Sequence, residues 1–284
     1  MNASPSPSVA PAGLDALRTL LERPIPAVMG VLNVTPDSFS DGGRFLSPAA
    51  AIEQGLRLAA EGAALIDVGG ESTRPGAAPV SVAEELARVV PVVRALSERT
   101  TAVISVDTSK PQVMQAAAAA GAGLINDVRA LREPGALAAA RASGCAVCLM
   151  HMQGEPGTMQ QAPSYRDVLA EVQAFLGERV DACLAAGLQP DQLLIDPGFG
   201  FGKTFEHNLT LLRGLAELAR ADVPLAVGLS RKALLGKLTG RAAHERLYGS
   251  VALAVIAALH GARLIRAHDV AATVDALKVV AALA

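Results

Sequence analysis

Polar residues with complementary hydrogen-bonding chemistry recur along this 284-residue chain, each where a short apolar run ends. The set contains carboxylates, which accept hydrogen bonds when ionised, amides, which donate and accept, and lysine and arginine side chains, which only donate. Such a set is suited to chemistry on one small molecule. The eight positions are Asn33, Asp67, Asp107, Asn126 with Asp127, His151, Asp196, Ser230 to Lys232, and Arg266 to His268.

Stretches of helical period lie between successive apolar runs, so the chain repeats the order strand, polar residue and helix eight times. This order predicts an α/β fold of the (β/α)8 type, a TIM barrel, whose active site gathers at the C-terminal ends of the strands. The hydrophobic content of 51% and the Val, Ile and Leu runs fit parallel strands that are covered on both faces. We therefore expect a single barrel domain over residues 14–284, preceded by a disordered Pro/Ser/Ala-rich tail at 1–13.

Helix punctuation supports this order of elements. Ser81 followed by Glu84 is a capping-box pattern, and Gly121 ends the Ala-rich helix that precedes it. We place the other helices near residues 48–61, 135–143, 166–186, 206–220, 232–238, 242–260 and 270–282.

The connections after strands one, two, five and six are long and lack helical or strand period. Such loops in a compact domain are usually functional or disordered, and all four lie on the face where a barrel keeps its site. They hold five of the six phenylalanines, which suggests stacking against a flat ligand, although each ring can instead anchor its loop to the barrel rim. The five are Phe39, Phe45, Phe199, Phe201 and Phe205.

Charge and composition argue against several classes of protein. A net charge of −2 without a basic stripe disfavours a nucleic-acid partner. No apolar stretch approaches a membrane span of about 18 residues, and the first residues lack the pattern of a signal peptide. Cys145 and Cys148 lie in one apolar run, as expected for buried thiols in a reducing cytoplasm. The segment GFGFGKT is not a phosphate-binding P-loop, since Pro197 occupies the first glycine position, and the histidines lack the spacing of a zinc site.

Eight blocks of the sequence, in order, resemble the signature blocks of the dihydropteroate synthase family of pterin-binding TIM barrels. The resemblance extends from about residue 26 to the C-terminus. The blocks are MGVLNVTPDSFSDGG (29–43), DVGGESTRPGA (67–77), SVDTSK (105–110), INDV (125–128), MHMQG (150–154), DPGFGFGK (196–203), GLSRK (228–232) and IRAHDV (265–270).

The resemblance implies a transferase of folate biosynthesis. It would condense 6-hydroxymethyl-7,8-dihydropterin diphosphate with 4-aminobenzoate to give 7,8-dihydropteroate and pyrophosphate, by an SN1-like loss of pyrophosphate. It also implies Mg2+ as cofactor, a cytoplasmic homodimer, and binding of sulfonamide mimics of aminobenzoate. No nucleic-acid or membrane partner is expected.

The same resemblance assigns roles to residues within these blocks. Asp107 and Asp41 would stabilise the cation that forms as pyrophosphate leaves, and Lys232, Arg266 and His268 would complete the catalytic set. The pterin would be bound by Asp107, Asn126, Asp196 and Lys232. The diphosphate would be bound by Asn33, Arg74, Arg266 and His268, with Mg2+ at Asn33. The aminobenzoate pocket would be formed by Phe39, Thr73, Pro75, Phe201, Ser230 and Lys232.

Some questions remain open on the sequence alone. Asp67 and His151 either touch ligand or brace neighbouring loops. A pterin-binding barrel of the corrinoid methyltransferase type would share Asp107, Asn126 and Asp196 but would have no use for the ESTRPG and SRK blocks. A non-catalytic pterin-binding module, and more distantly a barrel aldolase with a Schiff-base lysine, are further alternatives.

Overall fold

Eight parallel strands form the centre of the fold in the order β6-β5-β4-β3-β2-β1-β8-β7. The protein is known from a computed structural model, which describes residues 12–35, 47–73, 77–219 and 222–283. Strands β6 and β7 meet through a bridge in which Ile195 N donates to Pro224 O at 3.0 Å, so the predicted (β/α)8 barrel is confirmed. The strands are β1 Ala27–Asn33, β2 Leu65–Gly69, β3 Val103–Asp107, β4 Leu124–Asp127, β5 Ala146–Met150, β6 Leu193–Asp196, β7 Ala226–Gly228 and β8 Leu264–Ala267.

Helices follow each strand and cover the outside of the barrel, and one further helix precedes the first strand. They are α1 Ala12–Leu21, α2 Pro48–Ala60, α3 Val82–Ser97, α4 Pro111–Ala119, α5 Ala136–Ser143, α6 Val168–Ala185, α7 Phe205–Arg213, α8 Leu215–Leu218, α9 Ala233–Thr239, α10 Leu247–Leu259 and α11 Val270–Ala281. Short 3₁₀ turns span Pro190–Gln192 and Ala243–Glu245. In the part of the chain that the structure describes, no helix is both long and apolar enough to span a membrane.

Two predicted helices differ from the structure. The helix expected at 206–220 is interrupted at Gly214, which separates α7 from α8. A Cβ at that position would lie 2.6 Å from Leu169 Cδ2, so the glycine permits close packing on α6. The helix expected at 242–260 begins only at Leu247, after a 3₁₀ turn.

Side chains that alternate along each strand divide the core into two layers. Outward residues pack under the helices, whereas inward residues such as Met29, Leu65 and Leu124 fill the barrel interior. Helix α1, which the sequence analysis did not place, closes the N-terminal end of the barrel with Leu14 and Leu17. The predicted tail at 1–13 is too long by two residues, because Ala12 and Gly13 begin this helix. Residues 1–11 lie outside the described residues, so the rest of the tail stays a prediction. Because the N-terminal half of the barrel interior is filled by apolar side chains, the polar groups gather at the C-terminal end.

Candidate active site

The strand register brings the polar residues of neighbouring strands into one ring at the C-terminal mouth of the barrel. Asn33 pairs with Gly69, Gly69 with Asp107, and Asp107 with Asn126. Because side chains alternate along a strand, residues paired in this way point to the same side of the sheet. Asn33, Asp107 and Asn126 therefore face the barrel interior at one level.

The prediction that Asp67 ends its strand is wrong, because β2 continues to Gly69. Its side chain lies fully buried below the ring, where Oδ1 accepts a hydrogen bond from Ser105 Oγ at 2.6 Å. Oδ2 accepts from Asn126 Nδ2 at 3.1 Å and from Arg266 Nε at 2.6 Å. Asp67 thus braces other residues of the site from beneath.

Arg266 links two carboxylates, since its Nη2 also donates to Asp107 Oδ2 at 3.1 Å. Burial is the main cause that raises the pKa of Asp107 to about 8, and the nearby carboxylate of Asp67 is the second. The positive charge of Arg266 opposes this shift. The Asp107 side chain remains 14% exposed. An acidic group that resists ionisation therefore lies where a ligand could reach it.

Asp196, the last residue of β6, is held by the loop that follows it. Its Oδ1 accepts a hydrogen bond from Gly198 N at 2.7 Å. Burial raises the pKa of Asp196, and the positive charge of Lys232 opposes that shift. This backbone contact orients the carboxyl group at the mouth of the barrel.

Lys232 is oriented by two contacts with the loop that follows β6. Its Nζ donates to Phe199 O and lies 5.0 Å from the centre of the Phe201 ring. Burial lowers the pKa of Lys232 to about 8, and Asp196 partly offsets that effect. The preceding residue, Arg231, has a left-handed φ of 58° and is held by an ion pair to Asp269.

Ser230 and His268 are hydrogen-bonded to each other across β7 and β8. The backbone N of His268 donates to Ser230 Oγ at 3.2 Å, and His268 Nδ1 lies 3.1 Å from the same oxygen. Residues predicted for the aminobenzoate pocket and for the diphosphate site therefore adjoin one another at this part of the rim.

The loop phenylalanines divide between the two interpretations of the sequence. Phe199 is only 1% exposed and anchors its loop, so ligand stacking is wrong for this ring. Phe205 starts α7 and lies beneath Lys237 Nζ. Phe201 is partly exposed beside Lys232. Phe39 and Phe45 lie outside the described residues.

Other predicted site residues also lie outside the described residues, namely Asp41, Arg74 and Pro75. Thr73 is described and directly precedes residues 74–76, which lie outside the described residues. The base of its loop is fixed by Glu71, which accepts from Val80 N at 2.9 Å and from Lys110 Nζ at 2.6 Å. Glu85, buried on α3, also pairs with Lys110.

The sequence analysis did not identify several residues that hold site or loop side chains in place, among them Ser105, Lys110 and Lys203. Their partners are 38, 39 and 52 positions away for Ser105–Asp67, Lys110–Glu71 and Lys203–His151, respectively. Hydrophobic periodicity carries no information on such pairs. The block matches SVDTSK and DPGFGFGK contain all three residues and were the available signal.

His151, whose role the sequence left open, is 6% exposed and packs edge-on against Phe175 at 4.9 Å between ring centres. Its Nδ1 lies 2.9 Å from Lys203 Nζ. Burial, followed by the Lys203 charge, lowers the pKa of His151 to about 3. These contacts place His151 in the packing between loops.

The fold and this polar mouth define an enzyme barrel of the (β/α)8 class, and comparison with known proteins gives its family. Residues 29–268 match the pterin binding enzyme family. The dihydropteroate synthase of Escherichia coli K12 is 55% identical over 269 residues, which cover 95% of each chain. The chain therefore belongs to the dihydropteroate synthases, which are transferases of the pterin-binding enzyme family.

Solved structures agree with this assignment. Xanthomonas albilineans dihydropteroate synthase with 4-aminobenzoic acid superposes with a TM-score of 0.87 at 56% identity, covering 93% of this chain and 94% of that one. The same enzyme in complex with 7,8-dihydropteroate gives a TM-score of 0.84 at 53% identity, with the same coverage. These relatives favour the synthase over a corrinoid methyltransferase or a non-catalytic module.

Proposed function

We propose that the residues at the barrel mouth catalyse the condensation of 6-hydroxymethyl-7,8-dihydropterin diphosphate with 4-aminobenzoate. The observation that carries this assignment is the network in which Arg266 joins Asp107 to Asp67, with Asn126 on the same Asp67 oxygen. It brings an acidic group, an amide and a cation into contact at the C-terminal end of the barrel. Relatives solved with 4-aminobenzoic acid and with 7,8-dihydropteroate support the same pair of substrates.

The pterin is recognised by its hydrogen-bonding edge. A pterin presents adjacent N–H donors, which the Asp196 carboxylate can accept, and Asn126 can both donate and accept. Lys232, a pure donor, suits the ring carbonyl and N5. Its Nζ carries three N–H donors, so it can keep its bond to the Phe199 carbonyl and offer the others to the ring.

Asp107 stabilises the developing cation, together with Asp41 of the first loop. The C9–O bond breaks and its electron pair leaves with pyrophosphate, so positive charge spreads over the dihydropterin. Positive charge beside Asp107 lowers its pKa, and the carboxylate form becomes favoured as the charge forms. The aminobenzoate nitrogen then bonds to C9 and loses a proton.

The leaving diphosphate is held by groups at the end of β8. Arg266 uses Nε and Nη2 for Asp67 and Asp107, so we assign Nη1 to the phosphate oxygens, with His268 beside it and Arg74 from the second loop. The side chain of Arg266 is 24% exposed, which permits such a contact. Holding the guanidinium by two carboxylates fixes the direction of its remaining nitrogen.

A Mg2+ ion fits this end of the barrel through Asn33. Mg2+ prefers oxygen ligands and commonly takes only one or two from the protein, the others being water and substrate phosphate. Asn33 offers an amide oxygen at the level of Asp107. When bound, the ion would neutralise charge on the leaving pyrophosphate. No cluster of three or more His, Cys, Asp or Glu ligands occurs within the described residues.

The aminobenzoate pocket is assigned to the rim formed by Thr73, Phe201, Ser230 and Lys232, with Phe39 and Pro75 contributed by the first two loops. The partly exposed Phe201 ring supports this assignment, since a flat aromatic substrate can pack against it. Its position beside the Lys232 ammonium places this pocket next to the pterin site.

We also propose that two copies of the chain associate through α10 and the end of α11. Large apolar side chains are exposed there, including Tyr248 at 84%, Leu259 at 67% and Val279 at 64%. Exposed apolar surface of this kind is typical of an interface. Sedimentation of the wild type and of Ile256→Glu tests the assignment, and a monomeric wild type would contradict it.

Free buried thiols at Cys145, Cys148 and Cys183 support a cytoplasmic location.

The decisive experiment is incubation with the pterin diphosphate, Mg2+ and 4-aminobenzoate, scored for dihydropteroate and pyrophosphate. We expect both products from the wild type and a large loss with Asp107→Asn. If folded wild type binds a pterin but makes neither product, the catalytic assignment fails and a pterin-binding module is supported instead.

A further inference from the structure

Two buried titratable side chains, Lys203 and His151, have no part in the chemistry proposed above. Lys203 ends the segment 197–203, called here the β6 loop, and only 3% of it is exposed. Its Nζ donates to Gly198 O at 2.9 Å and to Phe201 O at 3.0 Å, and lies 2.9 Å from His151 Nδ1. The His151 carbonyl at 3.4 Å is a fourth polar neighbour, so an amine on a flexible stem is enclosed beneath the loop by four polar atoms.

The β6 loop has a backbone that needs external support. Gly198, Gly200 and Gly202 adopt positive φ values of 65°, 86° and 60°. Glycine has many alternative conformations, so the direction of the intervening carbonyls is not set by the local chain. A Cβ at Gly198 would lie 1.9 Å from His151 O, which shows how closely the loop packs on the segment after β5.

Side chains from outside or from the end of the loop hold its successive carbonyls. Lys203 binds those of Gly198 and Phe201, on either side of Phe199. Tyr165 Oη donates to Gly202 O at 2.8 Å. Gln160 also donates to Gly200 O, but that contact is exposed, so water can replace it. The Phe199 carbonyl lies between these fixed points, and it is the acceptor of Lys232 Nζ.

Lys232 thus meets two parts of the β6 loop that Lys203 holds. One is the Phe199 carbonyl, and the other is the Phe201 ring, whose centre lies 5.0 Å from the ammonium. We propose that Lys203, held by His151, is a positioning residue that fixes the β6 loop as the seat of Lys232 and so sets pterin affinity. This inference rests on the proposed contact between Lys232 and the pterin.

A double-mutant cycle tests the proposal. The readout is the Kd of 6-hydroxymethyl-7,8-dihydropterin, measured by calorimetry on full-length protein for wild type, Lys203→Met, Lys232→Met and the double variant. We expect Lys203→Met to weaken binding about tenfold when Lys232 is present and less than about threefold when it is absent, because residues linked through one hydrogen-bonded segment couple. An equal loss in both backgrounds would show that Lys203 supports the fold alone and would overturn the proposal.

His151 provides a second route if Lys203→Met does not fold. His151→Leu removes the Nδ1 contact to Lys203, whereas His151→Asn keeps a polar atom near the same position. We expect His151→Leu to weaken pterin binding and His151→Asn to restore it. Equal affinities for these two variants would contradict the proposed link through His151.

Gln160→Ala is the matched control, since Gln160 is exposed and contacts the same loop at Gly200 O. It should leave pterin affinity within about twofold, as expected for an exposed contact. Coupling to Lys232 as large as that of Lys203 would refute a specific role for Lys203. If instead Lys232→Met alone leaves pterin affinity unchanged, the proposed role of Lys232 fails independently of Lys203.

Discussion

Asp67, a carboxylate with no exposed surface, holds Arg266 through a 2.6 Å hydrogen bond from Nε across the barrel interior. The same arginine reaches Asp107 with its Nη2. One buried residue therefore fixes the guanidinium that the proposed mechanism places between the developing cation and the leaving group. The proposed chemistry makes this pair a test of how the site is organised.

Replacing Asp67 should lower both stability and activity. Asp67→Asn removes the charge that balances Arg266, and breaking a buried ion pair destabilises proteins by about 3 kcal/mol or more. We expect urea unfolding to show a loss of that order and kcat/KM for the pterin diphosphate to fall at least about tenfold. Asp275→Asn, on the exposed ion pair to Lys278, is the control and should change neither. Normal activity in Asp67→Asn would contradict a bracing role.

Asp107→Asn should separate activity from stability. Turnover should fall by roughly 10²-fold or more, because a charge that faces the transition state is lost. The unfolding free energy at pH 8 should be unchanged or higher, since the raised pKa of Asp107 shows that the folded protein disfavours its ionised form. Steady-state rates and urea unfolding on one preparation measure both quantities. Near-normal turnover would remove Asp107 from the mechanism.

Lys232→Ala should likewise lower turnover by roughly 10²-fold or more. Lys237→Ala is a suitable control, because that lysine lies on α9 over Phe205 and away from the proposed pterin contacts. We expect the control to retain its kinetics. Equal rates for Lys232→Ala and the wild type would exclude Lys232 from the catalytic set.

The pH dependence of kcat/KM for the pterin diphosphate should be a narrow bell. Asp107 must lose a proton, so activity rises with pH through its pKa of about 8. Lys232 must keep its proton, so activity falls as pH rises through its own pKa of about 8. The maximum should therefore lie near pH 8. Lys232→Arg should extend the profile to higher pH, and an unchanged basic limb would show that another group titrates there.

His151 should make the protein sensitive to acid. Its pKa is about 3 in the folded protein and 6.5 in the reference state, so unfolding takes up a proton between these values. The stabilisation is complete above about pH 6.5 and is lost as pH falls, with a slope of at most about 1.4 kcal/mol per pH unit. Urea unfolding between pH 4 and 7 should show a steeper slope for wild type than for His151→Asn. Parallel slopes would mean that His151 titrates normally.

Much of the site can be predicted from local sequence, because an apolar run followed by a polar residue is a local pattern. Asn33, Asp107 and Asp196 each occupy the last position of a strand, as that pattern predicts. The fold follows from the same periodicity. Helix α1 was not predicted, because its short apolar stripe resembles an extension of the tail. Its contacts inside the barrel are what distinguish it from the tail.

Other features depend on barrel closure. Asp67 resembles a strand-end residue in sequence but lies within β2, and its partner Arg266 is 199 positions away. Lys203 resembles an exposed lysine in a glycine-rich loop, yet the folded loop buries it against His151. The order of residues specifies which side chains face inward, since alternation is a property of each strand. Which donor binds which acceptor depends on distances of a few ångströms between segments that are far apart in sequence. Those distances are set only when the barrel forms.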